Sequence, residues 1–359
     1  MMRCLNRCKN TGILVVLFVV LLCSLINVEA KDMRKKNTYP QWQKGMCYVT
    51  WSRNTYMTTS SDDSLEMLAA TTNTEWVALV TNWYQKSYNS TEIKATHETP
   101  TDESLIHAIK EIHSLGMKVM LKPHLELTHS PGKWRGEIDF ETEDEWQTWF
   151  NNYHNMIIHY AKMAEKHDVE MLCIGTELVY PATRRGDLWR EKIIKTVRAI
   201  YSGYITYAAN WDEEYSNIDF WDALDYAGID AYFPLSVKEN PSLQELKKGW
   251  NLWLIDIEHW QKKINKPVIF TECGYTSSTM AAKKPWEYVL PGEDVDLELQ
   301  KRCYEALMQT VGKKDWFYGT YWWYWGTNKR MGGRGDKYFC IQNKPIEDLI
   351  RRWYRKIKK

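Results

Sequence analysis

The feature that most limits what this 359-residue chain can fold into is an eightfold alternation. Short apolar, aromatic-rich runs fall at Gly45–Trp51, Trp76–Tyr84, Lys118–Leu127, Met171–Leu178, Tyr204–Asp212, Tyr226–Leu235, Val268–Tyr275 and Phe317–Gly326. Near-continuous apolar runs of this length read as strands buried on both faces of a parallel sheet. Between them lie helical patterns at Ser61–Ala70, Asp102–Leu115, Thr142–Glu165, Asp187–Ile200, Ser242–Ile264 and Asp296–Val311. The fifth connection has only the short Ile218–Ala223 segment, and Pro345–Ile357 predicts a closing helix. Ser64, Thr101 and Thr142 are expected as helix caps, the last in a capping box with Glu145; Gly116 is expected to stop the second helix. Eight strand–crossover units predict a single (β/α)8 TIM barrel of the α/β class. A doubly wound open sheet would carry a glycine-rich phosphate turn after its first strand, and MCYVTWSRNTY has none.

The first thirty residues read as separate from that fold. Arg3, Arg7 and Lys9 precede an apolar run, Ile13–Ile26, and Val28-Glu29-Ala30 offers the small residues at which a signal peptidase cuts. The expected organisation is therefore a signal peptide over residues 1–30 and one catalytic domain over 31–359. This implies export to the extracellular space or periplasm, with an uncleaved membrane anchor as the alternative. Three basic residues and one acidic residue lie in that leader, so the whole-chain charge of +1 becomes −1 without it. A chain so close to neutral has no basic field for nucleic acid. Five cysteines remain after the leader, Cys47, Cys173, Cys273, Cys303 and Cys340, without CxxC spacing; they read as small buried hydrophobes.

In barrels of this kind the active site sits at the C-terminal strand ends. Glu177 in MLCIGTELVY and Glu272 in PVIFTECGY stand in matching places at two of these ends. A carboxylate at the end of a core strand is costly unless it is paired or used. Around them the other ends supply Trp51, Asn82, Trp83, Lys122, His124, Asn210, Trp211, Asp230, Tyr232, Trp323 and Trp325. Flat aromatic faces can stack on pyranose rings while amide, lysine and carboxylate groups bond hydroxyls, so these residues are expected to bind sugar. Two carboxylates flanking such a site are the minimum equipment for glycoside hydrolysis.

The order and placement of these motifs are similar to clan A glycoside hydrolases, whose acid/base glutamate ends the fourth strand and whose nucleophile ends the seventh. More closely, WYQ, KPH, GTEL, YAANWDE, DAYFP, FTECGY and AAKKPW, in order over about Gly45 to Trp325, resemble glycoside hydrolase family 113. That family is known chiefly for endo-β-1,4-mannanases. The resemblance implies Glu177 as acid/base, Glu272 as nucleophile, Tyr232 as the hydroxyl orienting the nucleophile, and Trp323 or Trp325 as the floor under the sugar. It implies a mannan-type oligo- or polysaccharide substrate and a retaining mechanism. One departure stands out: many clan A enzymes place Asn before the acid/base, and here that residue is Thr176.

Other readings stay open. Another clan A activity (exo-mannosidase, xylanase or galactanase) or a non-catalytic sugar-binding barrel would use the same rim. No cofactor or metal is expected: the spacing of His124, Glu126 and His129 fits no zinc pattern, and Lys122 would repel a cation. The segment Thr276–Gly292 is long for a barrel connection, and Trp286 within it is expected to wall a sugar subsite.

Overall fold

The structure is a computed structural model that describes residues 42–289 and 292–357. The leader expected over residues 1–30 lies outside the described residues. Among those described, no helix is long and apolar enough to cross a membrane.

Eight strands close into a barrel in sequence order, every neighbour parallel. They are β1 (Gln43–Val49), β2 (Trp76–Gln85), β3 (Lys118–Leu127), β4 (Met171–Thr176), β5 (Tyr204–Asn210), β6 (Ala227–Asp230), β7 (Val268–Cys273) and β8 (Phe317–Gly326). Longer crossover helices run over Thr59–Thr72, Asp102–Ser114, Glu143–Lys166, Leu243–Ile264 and Leu297–Gln309, and Ile346–Lys356 closes the fold. Period-two alternation divides each strand between two apolar layers. Ala78 and Val80 join Cys47, Met120, Cys173 and Ile269 inside the barrel, whereas Val77 and Leu79 face the helices.

The local signals account for most boundaries. Thr101 accepts the Ser104 N–H, and Thr142 and Glu145 form the expected capping box. Gly116, at φ +75°, turns the chain after the second helix, where a side chain would be strained. One expectation is corrected: the helix expected from Ser61 starts at Thr59 with Thr58 as its cap, and Ser64 is fully buried, donating to the Gly326 carbonyl at 2.7 Å. The helix expected over Asp187–Ile200 is present, running without a gap from Gly186 to Ile200 with a π-helical turn at Trp189–Ile194. That turn seats the buried Trp189 ring against Tyr207 and Phe220. Gly175 of β4 makes room for it: a Cβ there would lie 2.5 Å from Tyr207 and 2.8 Å from Trp189.

In β8 the pairing with β1 slips. Met46 pairs with Trp322 and Tyr48 with Trp325, so two residues of β1 oppose three of β8. An extra residue of this kind inverts which face the following side chains occupy. The five described cysteines are buried and free.

Candidate active site

The C-terminal ends of the strands surround a cleft of about 770 Å³. Glu177 and Glu272 both line it, from β4 and β7, and Tyr232, His124, Asn210, Trp51, Trp211, Trp286 and Trp323 line it with them.

Glu272 is the deeper anchored of the two. Lys122, wholly buried, donates its Nζ to Glu272 Oε1 and lies 3.3 Å from Asp230. The Tyr232 hydroxyl donates to Glu272 Oε2 at 2.8 Å. Burial would drive a proton onto Glu272, but the ammonium of Lys122 and the His124 edge outweigh it and hold the carboxyl below its usual range. Asp230 goes the other way: burial, and then the Glu272 charge, push its carboxyl well up, while Thr271 donates to it at 2.8 Å. Of the two carboxyls flanking one lysine, Glu272 therefore carries the negative charge. Burial would strip the proton from Lys122, but the two carboxyl groups flanking it, with the charge on Glu272, hold it there.

His124 stands beside this cluster, with Nε2 3.5 Å from Glu272 Oε1 and Nδ1 3.6 Å from Glu126 Oε1. Burial, followed by the nearby Lys122, lowers its pKa to about 4, so the ring is neutral through the neutral range. It lies stacked at 6.4 Å from Trp323.

Glu177 is built differently. Its backbone is left-handed, at φ +51°, a conformation a non-glycine residue holds only when its surroundings impose it. Its N–H donates to the Ala208 carbonyl at 2.8 Å, and the next N–H, of Leu178, donates to the Tyr207 hydroxyl at 2.9 Å. The side chain accepts from Asn210 Nδ2 at 2.9 Å and from Arg135 Nη2. Arg135 also donates to Glu126 at 2.6 Å, whose pKa falls to about 2 because that pairing, with help from His124, overcomes burial.

The other residues expected at the rim divide. Lys122 and Asp230 lie beneath the cleft with no exposed surface, where they hold Glu272 and cannot touch a sugar. Asn82 is also buried, its amide donating to the Tyr84 hydroxyl, and is absent from the lining. Trp83 points outward and donates to Tyr160 of the helix Glu143–Lys166 at 2.9 Å, since its parity is that of Val77 and Leu79. Trp325 is buried on the outer face, donating to Ser64 at 3.0 Å; the slip in β8 separates it from Trp323, which stays in the cleft. Thr176 is buried and does not line the cleft. Trp286 stacks on Trp211 with centroids 5.2 Å apart and is 42 % exposed. Sequence reasoning missed Trp134, Arg135 and Phe339, all in the lining and all outside the strands, Arg135 at the start of the short 3-10 turn Arg135–Glu137.

A closed barrel with paired carboxylates, a buried lysine beneath one of them and aromatic walls around both has the form of a carbohydrate-cleaving enzyme, and the chain is a glycoside hydrolase. Residues 46–344 match the model of Glycoside Hydrolase Family 113, and the chain belongs to that family. A solved complex of a family 113 β-1,4-mannanase is 29 % identical, with a TM-score of 0.79 over 88 % of this chain and 100 % of that one. The family 113 β-mannanase from Alicyclobacillus acidocaldarius, in complex with ManMIm, is 28 % identical, with a TM-score of 0.79 over 89 % and 99 % of the two chains. The Ruminococcus gnavus β-glucuronidase, 13 % identical with a TM-score of 0.58 over 88 % of this chain and 50 % of that one, shares the fold alone. No curated protein matches the sequence.

Proposed function

We propose that the protein is a retaining endo-β-1,4-mannanase acting on mannan-type polysaccharide, exported by its leader. The observation that carries the mechanism is that two carboxyl groups, Glu177 and Glu272, face one cleft, with Glu272 anchored from beneath by a buried lysine. Glu272 is held ionised by Lys122 and aligned by Tyr232, as a nucleophile must be. Glu177 faces the same cleft through a neutral amide and a loop arginine. In this reading Glu272 attacks the anomeric carbon while Glu177 gives its proton to the departing glycosidic oxygen. Glu177 then takes a proton from the water that releases the glycosyl-enzyme. The mannanase titles of the solved neighbours support mannan as the substrate.

Azide rescue tests the roles. Glu272→Ala should lose activity by on the order of 10⁴-fold or more, and azide should restore turnover with a glycosyl azide of inverted configuration. Glu177→Ala should spare the first step on an activated aryl glycoside, and azide should there give the retained product. Swapped products would reverse the two roles. A product profile on mannohexaose set against xylohexaose tests the substrate, and faster cleavage of the xylo-oligosaccharide would sink the mannan assignment.

A further inference from the structure

A buried carboxyl group next to the cleft takes no part in the reaction just described. Glu214 is wholly buried at the start of the short helical turn Glu214–Asn217, directly after β5. Its Oε2 accepts the Asn210 N–H at 2.5 Å, and its Oε1 is 2.5 Å from the Tyr207 hydroxyl. Each of these partners leads to Glu177 by a different route. The Asn210 side chain donates to the Glu177 carboxylate at 2.9 Å, and the Tyr207 hydroxyl accepts the N–H of Leu178, the residue that follows Glu177. The hydrogen bonds close a ring from Glu177 through Leu178, Tyr207, Glu214 and Asn210 back to Glu177.

We propose that Glu214 is the positioning residue for the acid/base, fixing the left-handed backbone of Glu177 through Tyr207 and its carboxylate through Asn210. This rests on the assignment of Glu177 as acid/base made above. A left-handed glutamate persists only where neighbouring bonds over-determine it, and a misplacement of about 1 Å in a reacting group can cost roughly 10²-fold in rate. The closure of the ring explains why a carboxyl occupies so buried a place: it is the group with two acceptor oxygens able to bridge the Asn210 amide and the Tyr207 hydroxyl.

The charge of Glu214 matters to the same arrangement. It faces Tyr207 and Asn210 directly, and the Glu177 and Asp230 carboxyls act on it from further off. Burial outweighs the bonds from Tyr207 and Asn210 and raises its pKa to about 8. Below that pH Glu214 is neutral, and above it a negative charge is added to the ring.

The experiment compares Glu214→Leu, Glu214→Gln and Tyr207→Phe in the full-length enzyme. Each is assayed on mannohexaose, which needs a proton on its leaving group, and on a dinitrophenyl β-mannobioside, which does not. Glu214→Leu should lose roughly 10²-fold in kcat/KM on the hexaose and less than about fivefold on the aryl glycoside. Tyr207→Phe should show the same split, smaller in size. Glu214→Gln keeps the shape and one of the two acceptor oxygens, so it should rescue part of the hexaose activity. It should also lose the part of the alkaline decline centred near pH 8. Equal losses on both substrates would mean that Glu214 only supports the fold, and would overturn the proposal whether or not the melting temperature falls. Full hexaose activity in Glu214→Leu would overturn it too. Glu177→Gln serves as the reference: if that variant itself shows no split between the substrates, the acid/base assignment fails and takes the proposal with it.

Discussion

Glu272 and Glu177 open into one cleft, yet they are held by different materials. Around Glu272 the contacts come from strands and the residues at their ends: Lys122 of β3, Asp230 at the end of β6 and Tyr232 just beyond it, all buried. Around Glu177 they come from Arg135, in a loop eight residues past β3, and from Asn210, the last residue of β5. Arg135 keeps 16 % of its side chain exposed, while Lys122 keeps none. In the roles proposed above, Glu272 must carry one fixed charge, which a buried strand cation supplies, whereas Glu177 must gain and lose a proton each turnover beside a partner that keeps some exposure.

The largest expected effect is on the buried side. Lys122→Met strands Glu272 beside Asp230 without a counter-charge. Removing one member of such a buried set costs roughly 3–5 kcal/mol, or a fall in melting temperature on the order of 10 °C, together with nearly all activity. Calorimetry and initial rates check both. If the melting temperature holds, the contrast in anchoring is wrong.

Arg135→Gln should be milder. The pairs it loses are partly solvated, so kcat/KM should fall about tenfold, ~1.4 kcal/mol, with little change in melting temperature. A loss as large as that of Lys122→Met would abolish the distinction between the two sides. The two anchors also differ in their acid response. Glu126, paired with Arg135, has its pKa lowered to about 2, below the unfolded value of 4.5. It therefore contributes stability that is present above pH 4.5 and is lost as the pH falls towards 2. Arg135→Gln should flatten the pH dependence of the melting temperature in that acid window, and an unchanged slope would show that the pair adds nothing.

Trp286→Ala lies outside both sets of contacts and should have the smallest effect. It removes one face of the Trp211 stack, so kcat/KM on mannohexaose should fall by less than about tenfold. An aryl glycoside too short to reach that wall should be cleaved as before. Equal losses on both would mean that the tryptophan supports the catalytic centre rather than a subsite.

Much of the barrel was legible because apolar runs bounded by glycine, proline and capping residues carry a strong local signal. β3 and β8 have the expected limits, whereas β6 ends at Asp230 although its apolar run continues to Leu235. Apolar character outlasts the hydrogen-bond ladder there, because Ala231 and Phe233 stay buried after the strand stops. The site was legible where it belonged to strands. Trp83 was misplaced by neglect of parity, which was available in the sequence. Trp325 was misplaced by a slip in pairing between β1 and β8, which was not. Arg135 reaches Glu177 across 42 residues from a loop without periodicity, and Glu214 follows Asp212 and Glu213 in an acidic run that reads as a solvated turn.

The buried thiols give the molecule a built-in clock for its own opening. Cys273 follows Glu272 directly, and the Cys47 thiol is 3.6 Å from the carbonyl of Thr271, which precedes it. Burial pushes both thiols up, so in the closed barrel they are neither accessible nor ionised. An alkylating reagent will reach them only when the strands around Glu272 part. The rate at which those two cysteines are modified, followed residue by residue in native buffer, then measures how often the catalytic floor comes apart, separately from the melting of the whole chain.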